Sequence, residues 1–119
     1  MKSLVIEKPW GRFERFTYNE LSTVKLLYIK KGESLSLQYH NKRNEFWKIV
    51  NGNPLIEIDG RIINARPLDE FEIQALSKHR ISAPNDDVVF LEIATGEFDE
   101  DDIIRLEDKY SRIKNEKDK

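Results

Sequence analysis

The chain has no cysteine, which excludes disulfides and thiolate metal sites and leaves the compartment unread from that side. It also has almost no charge imbalance. Charged residues fill 35% of its 119 positions, yet the net charge is -2, so nothing in the balance calls for nucleic acid or an anionic membrane as partner. No stretch approaches the about 18 consecutive apolar residues of a membrane span. Met1 to Pro9 carries neither a long apolar run nor a small-residue cleavage site. A soluble cytoplasmic protein is the expectation. There is no internal repeat and no linker. The chain has only two histidines, His40 and His79.

What is present is enough for one core. Apolar residues reach 39% and aromatics 10%, and a chain of this length buries roughly 65% of its unfolded surface. Short β-type runs dominate: 23–30, 35–40, 46–50, 55–58, 61–65, 71–73, 80–82 and 88–93. Asp59-Gly60 separates two of them, and that dipeptide favours the positive φ angles of a two-residue type I′ hairpin loop. Turns are expected at Asn51 to Pro54 and at Ala83 to Asp86. Strands at this short, regular spacing predict an all-β sandwich or barrel rather than a parallel α/β sheet.

The end reads differently. Ile103, Leu106, Tyr110 and Ile113 recur three and four apart, and Asp99 to Asp101 place acids ahead of them. That pattern predicts an amphipathic helix over 102–113, docked on the barrel. Residues 114–119 (KNEKDK) read as a polar tail. The expected organisation is one domain over 1–113 followed by that tail.

His40 sits on an alternating run. Ser36, Gln38 and His40 share one face, and Leu35, Leu37 and Tyr39 the other. Glu45, Trp47 and Ile49 share a face of the next strand. Gln38, His40 and Glu45 can therefore enter one space, and His79 lies two strands later, just before a strand. An amide oxygen, two imidazoles and a carboxylate are a plausible donor set for a borderline divalent metal. The plainer alternative stands beside it: the polar face of an alternating strand usually meets only water.

Leu35 to Gly52 (LSLQYHNKRNEFWKIVNG) resembles the metal-binding segment of the cupin-type, or type II, mannose-6-phosphate isomerases. That family reads roughly S-L-Q-x-H-x-x-R-x-E-x-W-x-V-x-x-G there. Lys8 to Glu14 (KPWGRFE) resembles its entry motif, His79-Arg80 its His-Arg pair, and Leu91 to Arg112 its closing segment. The likeness implies a double-stranded β-helix of the cupin, or jelly-roll, type. It implies metal ligands at Gln38, His40, Glu45 and His79, with Arg43 and Arg80 beside them. Zinc is the first expectation for the single divalent ion, with iron, manganese, cobalt or nickel as alternatives. The chain departs from the pattern where the family has Gly and Pro around Leu68, Gln74 and Leu76, and where Phe46 replaces a common His. It contains no Gly-rich phosphate loop, so the likeness is to the isomerase part alone.

The resemblance implies aldose–ketose isomerisation of a phosphorylated hexose, mannose 6-phosphate to fructose 6-phosphate first. Such chemistry wants a Lewis acid, a proton-shuttling base and a cationic clamp for phosphate. Arg80 and then Arg43 are candidates for the clamp, each with an ordinary surface ion pair as the alternative. Glu45 and Glu92 are candidates for the base, neither assigned. Nucleotide-sugar isomerisation or epimerisation and a non-catalytic sugar-binding cupin are the rival readings. Trp10 and Trp47 could stack on a sugar, although core packing is the commoner role of tryptophan in a small barrel. Finally, if the ligand face lines the lumen, Leu35, Leu37 and Tyr39 point outward, which predicts a homodimer. The segment around Val5 to Trp10 could cross to the partner.

Overall fold

A computed structural model describes residues 3–110. It contains eleven strands: β1 (Leu4–Lys8), β2 (Gly11–Arg15), β3 (Ser22–Ile29), β4 (Leu37–Tyr39), β5 (Arg43–Asn51), β6 (Leu55–Ile58), β7 (Arg61–Asn64), β8 (Glu70–Ile73), β9 (His79–Ser82), β10 (Val88–Gly96) and β11 (Ile104–Glu107). No helix occurs among the described residues.

Two antiparallel sheets build the barrel, one ordered β3-β10-β5-β8 and the other β11-β4-β9-β6-β7. The core between them draws on both. Trp47, Ile49, Val88 and Phe90 come from the first sheet, Ile56 and Ile81 from the second, and each is at most 1% exposed. Burying such side chains stabilises the fold by about 1.5–3 kcal/mol apiece. Alternation along β5 and β10 follows from the period of two: Glu45, Trp47 and Ile49 face inward and pair with Ala94, Glu92 and Phe90 across the β5–β10 ladder, and Val88 faces inward beyond it. The Asp59-Gly60 turn takes φ values of 48° and 83°, the two positive angles of the expected hairpin loop.

Three sequence expectations change. Ile104–Glu107 is a strand, not part of a helix, and pairs with β4 through Ile104↔Tyr39, Arg105↔Gln38 and Glu107↔Leu37. The ladder groups of β4 need a partner on that side, and tertiary pairing overrides the helical spacing. Asp102, expected to begin that helix, instead uses its carboxylate to accept the Asn41 and Lys42 amides at 2.9 Å each. Ile113 and the 114–119 tail lie outside the described residues. Second, β4 begins only at Leu37, so the row Leu35, Leu37, Tyr39 is not a continuous outward face. All three are partly buried, and Leu35 packs against the core.

Third, the N-terminal segment forms a hairpin absent from the sequence reading. β1 and β2 pair only with each other. The chain then crosses the outer face of the four-stranded sheet, where Phe16 packs on Phe46 at 5.4 Å and Glu14 meets Lys48 at 2.7 Å.

Candidate metal centre

Three strands converge on one point inside the barrel. β5 presents Glu45, β9 opens with His79, and His40 follows directly on β4. All three are buried, at 4%, 1% and 2% exposure, and their ligand atoms lie within 4.8 Å of one another. His40 Nε2 is 3.1 Å from Glu45 Oε2, and His79 Nε2 is 3.8 Å from Glu45 Oε1. The imidazole centroids are 5.1 Å apart.

The other ring nitrogens settle the tautomers. His40 Nδ1–H donates to the Asp102 carbonyl at 2.6 Å, and His79 Nδ1–H to the Ser77 carbonyl at 2.8 Å. Both Nε2 lone pairs are then left facing the carboxylate. His79 Nε2 is fully enclosed and has no hydrogen-bond partner. Arg43 Nη2 also approaches His40 Nε2, at 3.3 Å, and two imidazoles and a carboxylate aimed into one small space are N and O donors that suit a borderline divalent ion. The residues present therefore fit a metal.

Glu45 is held firmly. Trp47 Nε1–H donates to Oε1 at 3.0 Å and Arg43 Nε–H to Oε2 at 3.1 Å. Burial favours the neutral acid, but the His40 and His79 imidazoles beside it outweigh burial and bring the Glu45 carboxyl down to about 2. Glu92 goes the other way. Burial first, then the charge of Glu45 and the hydrogen bond to it, push Glu92 up to about 8. Two buried carboxyls thus divide one proton, ionised at Glu45 and held at Glu92. Burial also pushes the His79 imidazole down.

The remaining candidates distribute unevenly. Gln38 lies directly across from His79 in the β4–β9 register, on the inward face, its Oε1 accepting the Ser36 hydroxyl at 2.8 Å. Arg43 reaches the cluster, but its guanidinium is engaged by Glu45, by the Asp99 carbonyl at 3.2 Å and by the Phe98 ring at 4.3 Å. Arg80 does not reach it. Alternation after His79 turns Arg80 to the outer face, where Glu57 holds it at 3.2 Å and Glu107 at 3.0 Å. Trp47 is core, edge-on to His79 at 5.5 Å, and Trp10 lies on the hairpin at 71% exposure. Phe46 faces outward beneath Phe16, so its replacement of a common His does not touch the lumen.

Sequence reasoning missed two residues. Asp102 read only as the first residue of a helix, yet its carbonyl orients His40. Arg105 lay within the expected helix and was given no role, yet β11 sets it beside Gln38. The alternation of Ile104, Arg105, Leu106 and Glu107 was the available signal for a strand there.

A two-sheet antiparallel barrel with a buried His-Glu-His cluster defines a cupin. A cupin protein from Bacteroides fragilis superposes with a TM-score of 0.58 at 21% identity, over 69% of this chain and 81% of that one. The family profile "Mannose-6-phosphate isomerase C-terminal" matches residues 2–108, and the chain belongs to that family. Among its relatives are the mannose-1-phosphate guanylyltransferase ManC of Salmonella typhimurium (strain LT2), 30% identical over 91% of this chain, and the alginate biosynthesis protein AlgA of Pseudomonas putida, 32% identical over 92%. The chain spans 23% of the length of each.

Proposed function

We propose that this domain is a metal-dependent aldose–ketose isomerase for a phosphorylated hexose, with mannose 6-phosphate and fructose 6-phosphate as the first pair. The observation that carries the reading is the buried His40–Glu45–His79 cluster in a member of this family. Gln38 completes the proposed ligand set, and zinc is the proposed ion. When bound, a divalent ion there supplies Lewis-acid polarisation of a sugar carbonyl and its neighbouring hydroxyl.

The chain's own residues divide the remaining work. Glu45 is committed as a ligand by its bonds to Trp47 and Arg43, which removes it as a free base. Glu92 holds a proton on its carboxyl against Glu45 and is the proposed proton carrier between the two sugar carbons. Arg43 keeps Glu45 ionised and oriented. The hydrophobic walls around Trp47 and Phe90 exclude water from the cluster. The names of ManC and AlgA support a place in sugar-nucleotide and polysaccharide supply.

Leu68 and Leu76 favour a second reading. They hold left-handed φ angles of 77° and 72° with exposed side chains, where the resembling family has Gly and Pro nearby. A reshaped rim suits a nucleotide-linked sugar or a binding-only role.

Elemental analysis with an isomerase assay on a panel of hexose 6-phosphates separates the readings. The parent should carry one equivalent of metal and interconvert a hexose 6-phosphate pair. His40→Ala combined with His79→Ala should lose both. Parental metal affinity in that double variant places the ion elsewhere, and a metal-loaded parent without turnover leaves the binding role.

A further inference from the structure

We propose that Arg105 is the anion-binding residue of this site, and that its ligand is the phosphate monoester of the sugar. This rests on the sugar-phosphate reading above and assigns its phosphate subsite, to which neither Arg80 nor Arg43 is free to contribute fully.

The argument begins with register. Arg105 lies opposite Gln38, and Gln38 opposite His79. Directly paired residues project to the same face of a sheet. The face is the inward one, because His79 is 1% exposed and Gln38 bonds the buried Ser36. Arg105, Gln38 and His79 therefore form one row across three strands. The outward side of the same strand is identified independently: Glu107 bonds Arg80 on the outer face, two residues on and past the irregularity that follows Arg105.

The second observation is chemical. Arg105 Nε is fully enclosed and has no hydrogen-bond partner. A buried N–H of a charged group left without an acceptor keeps its full desolvation penalty, so the site calls for one. Among the described residues, Arg43 has Glu45 and Arg80 has Glu57 and Glu107, whereas no carboxylate pairs with Arg105. A guanidinium fork matches a phosphate through two parallel bonds.

Spacing agrees. Two strand separations place the Arg105 backbone about 10 Å from that of His79. A hexose whose first two carbons lie at the His-Glu-His cluster carries its 6-phosphate at the opposite end of the molecule, toward Arg105.

The test is calorimetric binding of mannose 6-phosphate, inorganic phosphate and mannose to the metal-loaded full chain. It compares the parent with Arg105→Gln, Arg105→Lys and Arg80→Gln. Arg105→Gln should weaken mannose 6-phosphate at least tenfold, leave mannose binding and metal content unchanged, and abolish the advantage of the phosphorylated sugar. Arg105→Lys, which keeps the charge without the fork, should fall between, and it decides the matter if the Gln variant misfolds. A parental dissociation constant in both Arg105 variants overturns the assignment, as does a loss that follows Arg80→Gln instead. A parent that binds neither phosphate nor mannose 6-phosphate also overturns it. A parent that binds mannose 6-phosphate without turnover refutes the isomerase reading alone, because the Arg105 comparison is read from binding.

Discussion

Leu76 adopts a backbone conformation that a residue with a Cβ takes only at a cost. Its φ is 72°, its side chain is 62% exposed, and no core contact compensates. What holds it is the amide, which donates to the His40 carbonyl at 2.7 Å and so ties the loop to the strand end that carries His40. Left-handed geometry costs about 1 kcal/mol or more for such a residue. The usual order of Ala over Gly should therefore reverse here: Leu76→Gly is expected to be more stable than Leu76→Ala by about 1 kcal/mol. Urea unfolding of the two variants reads the difference, and an Ala variant at or above the Gly variant contradicts the geometry. Residue by residue, the cluster was largely legible. Alternation alone points Gln38 and His40 into a space that Glu45 enters from the next strand, and His79 follows from resemblance. The arginines were legible only in part. Arg80 turns outward by alternation once His79 points inward, whereas the register of Arg105 depends on which strand lies beside β4, and no local pattern contains that.

At the scale of elements, strands with a polar–apolar beat were readable and those closed by tertiary pairing were not. β5 and β10 alternate because one face is buried. β11 is four residues long, and its apolar spacing fits a helix equally well until β4 supplies the ladder. The turn after β5 shows how tightly two connections interlock. Gly52 has φ 89°, and a Cβ built there lies 2.2 Å from the Asp87 carbonyl oxygen, which is backbone and cannot swing aside. The same junction is tied by Asp86, whose carboxylate accepts both the amide and the side-chain N–H of Asn53 at 2.8 Å. Gly52→Ala combines left-handed strain with a backbone clash. It should destabilise the domain by about 2–4 kcal/mol, a loss that thermal unfolding will register. Gly60→Ala, with open space around its Cβ, keeps only the strain and should cost about 1 kcal/mol.

On the scale of the whole molecule, the shape is incomplete. The extents are 58 × 33 × 22 Å, long for a barrel of this size, and the β1–β2 hairpin belongs to neither large sheet. A lone two-stranded hairpin is marginal in water, and this one exposes Leu4, Val5, Trp10 and Phe13 at 48%, 45%, 71% and 38%. The outer face of the four-stranded sheet is also uncovered, with Val24, Leu26, Tyr28 and Val50 at 58%, 52%, 74% and 50% exposure. The hairpin's root already lies on that face, through Glu14 on Lys48 and Phe16 on Phe46. Together the eight side chains offer on the order of 800 Å² per chain, what a standard interface uses on each partner. We expect a two-fold dimer in which each hairpin covers the other chain's sheet, since one chain carries both halves of the contact and closed dimers dominate soluble oligomers. This moves the predicted interface from Leu35, Leu37 and Tyr39, which are partly buried, to β3 and the hairpin. Light scattering at micromolar concentration should give twice the 14.1 kDa chain mass. Tyr28→Asp or Trp10→Asp should each release monomers whose bound metal is unchanged, because both positions lie away from the His40–Glu45–His79 cluster. A parent that runs at the single-chain mass removes the dimer. A dimer that withstands both substitutions has its interface on another face.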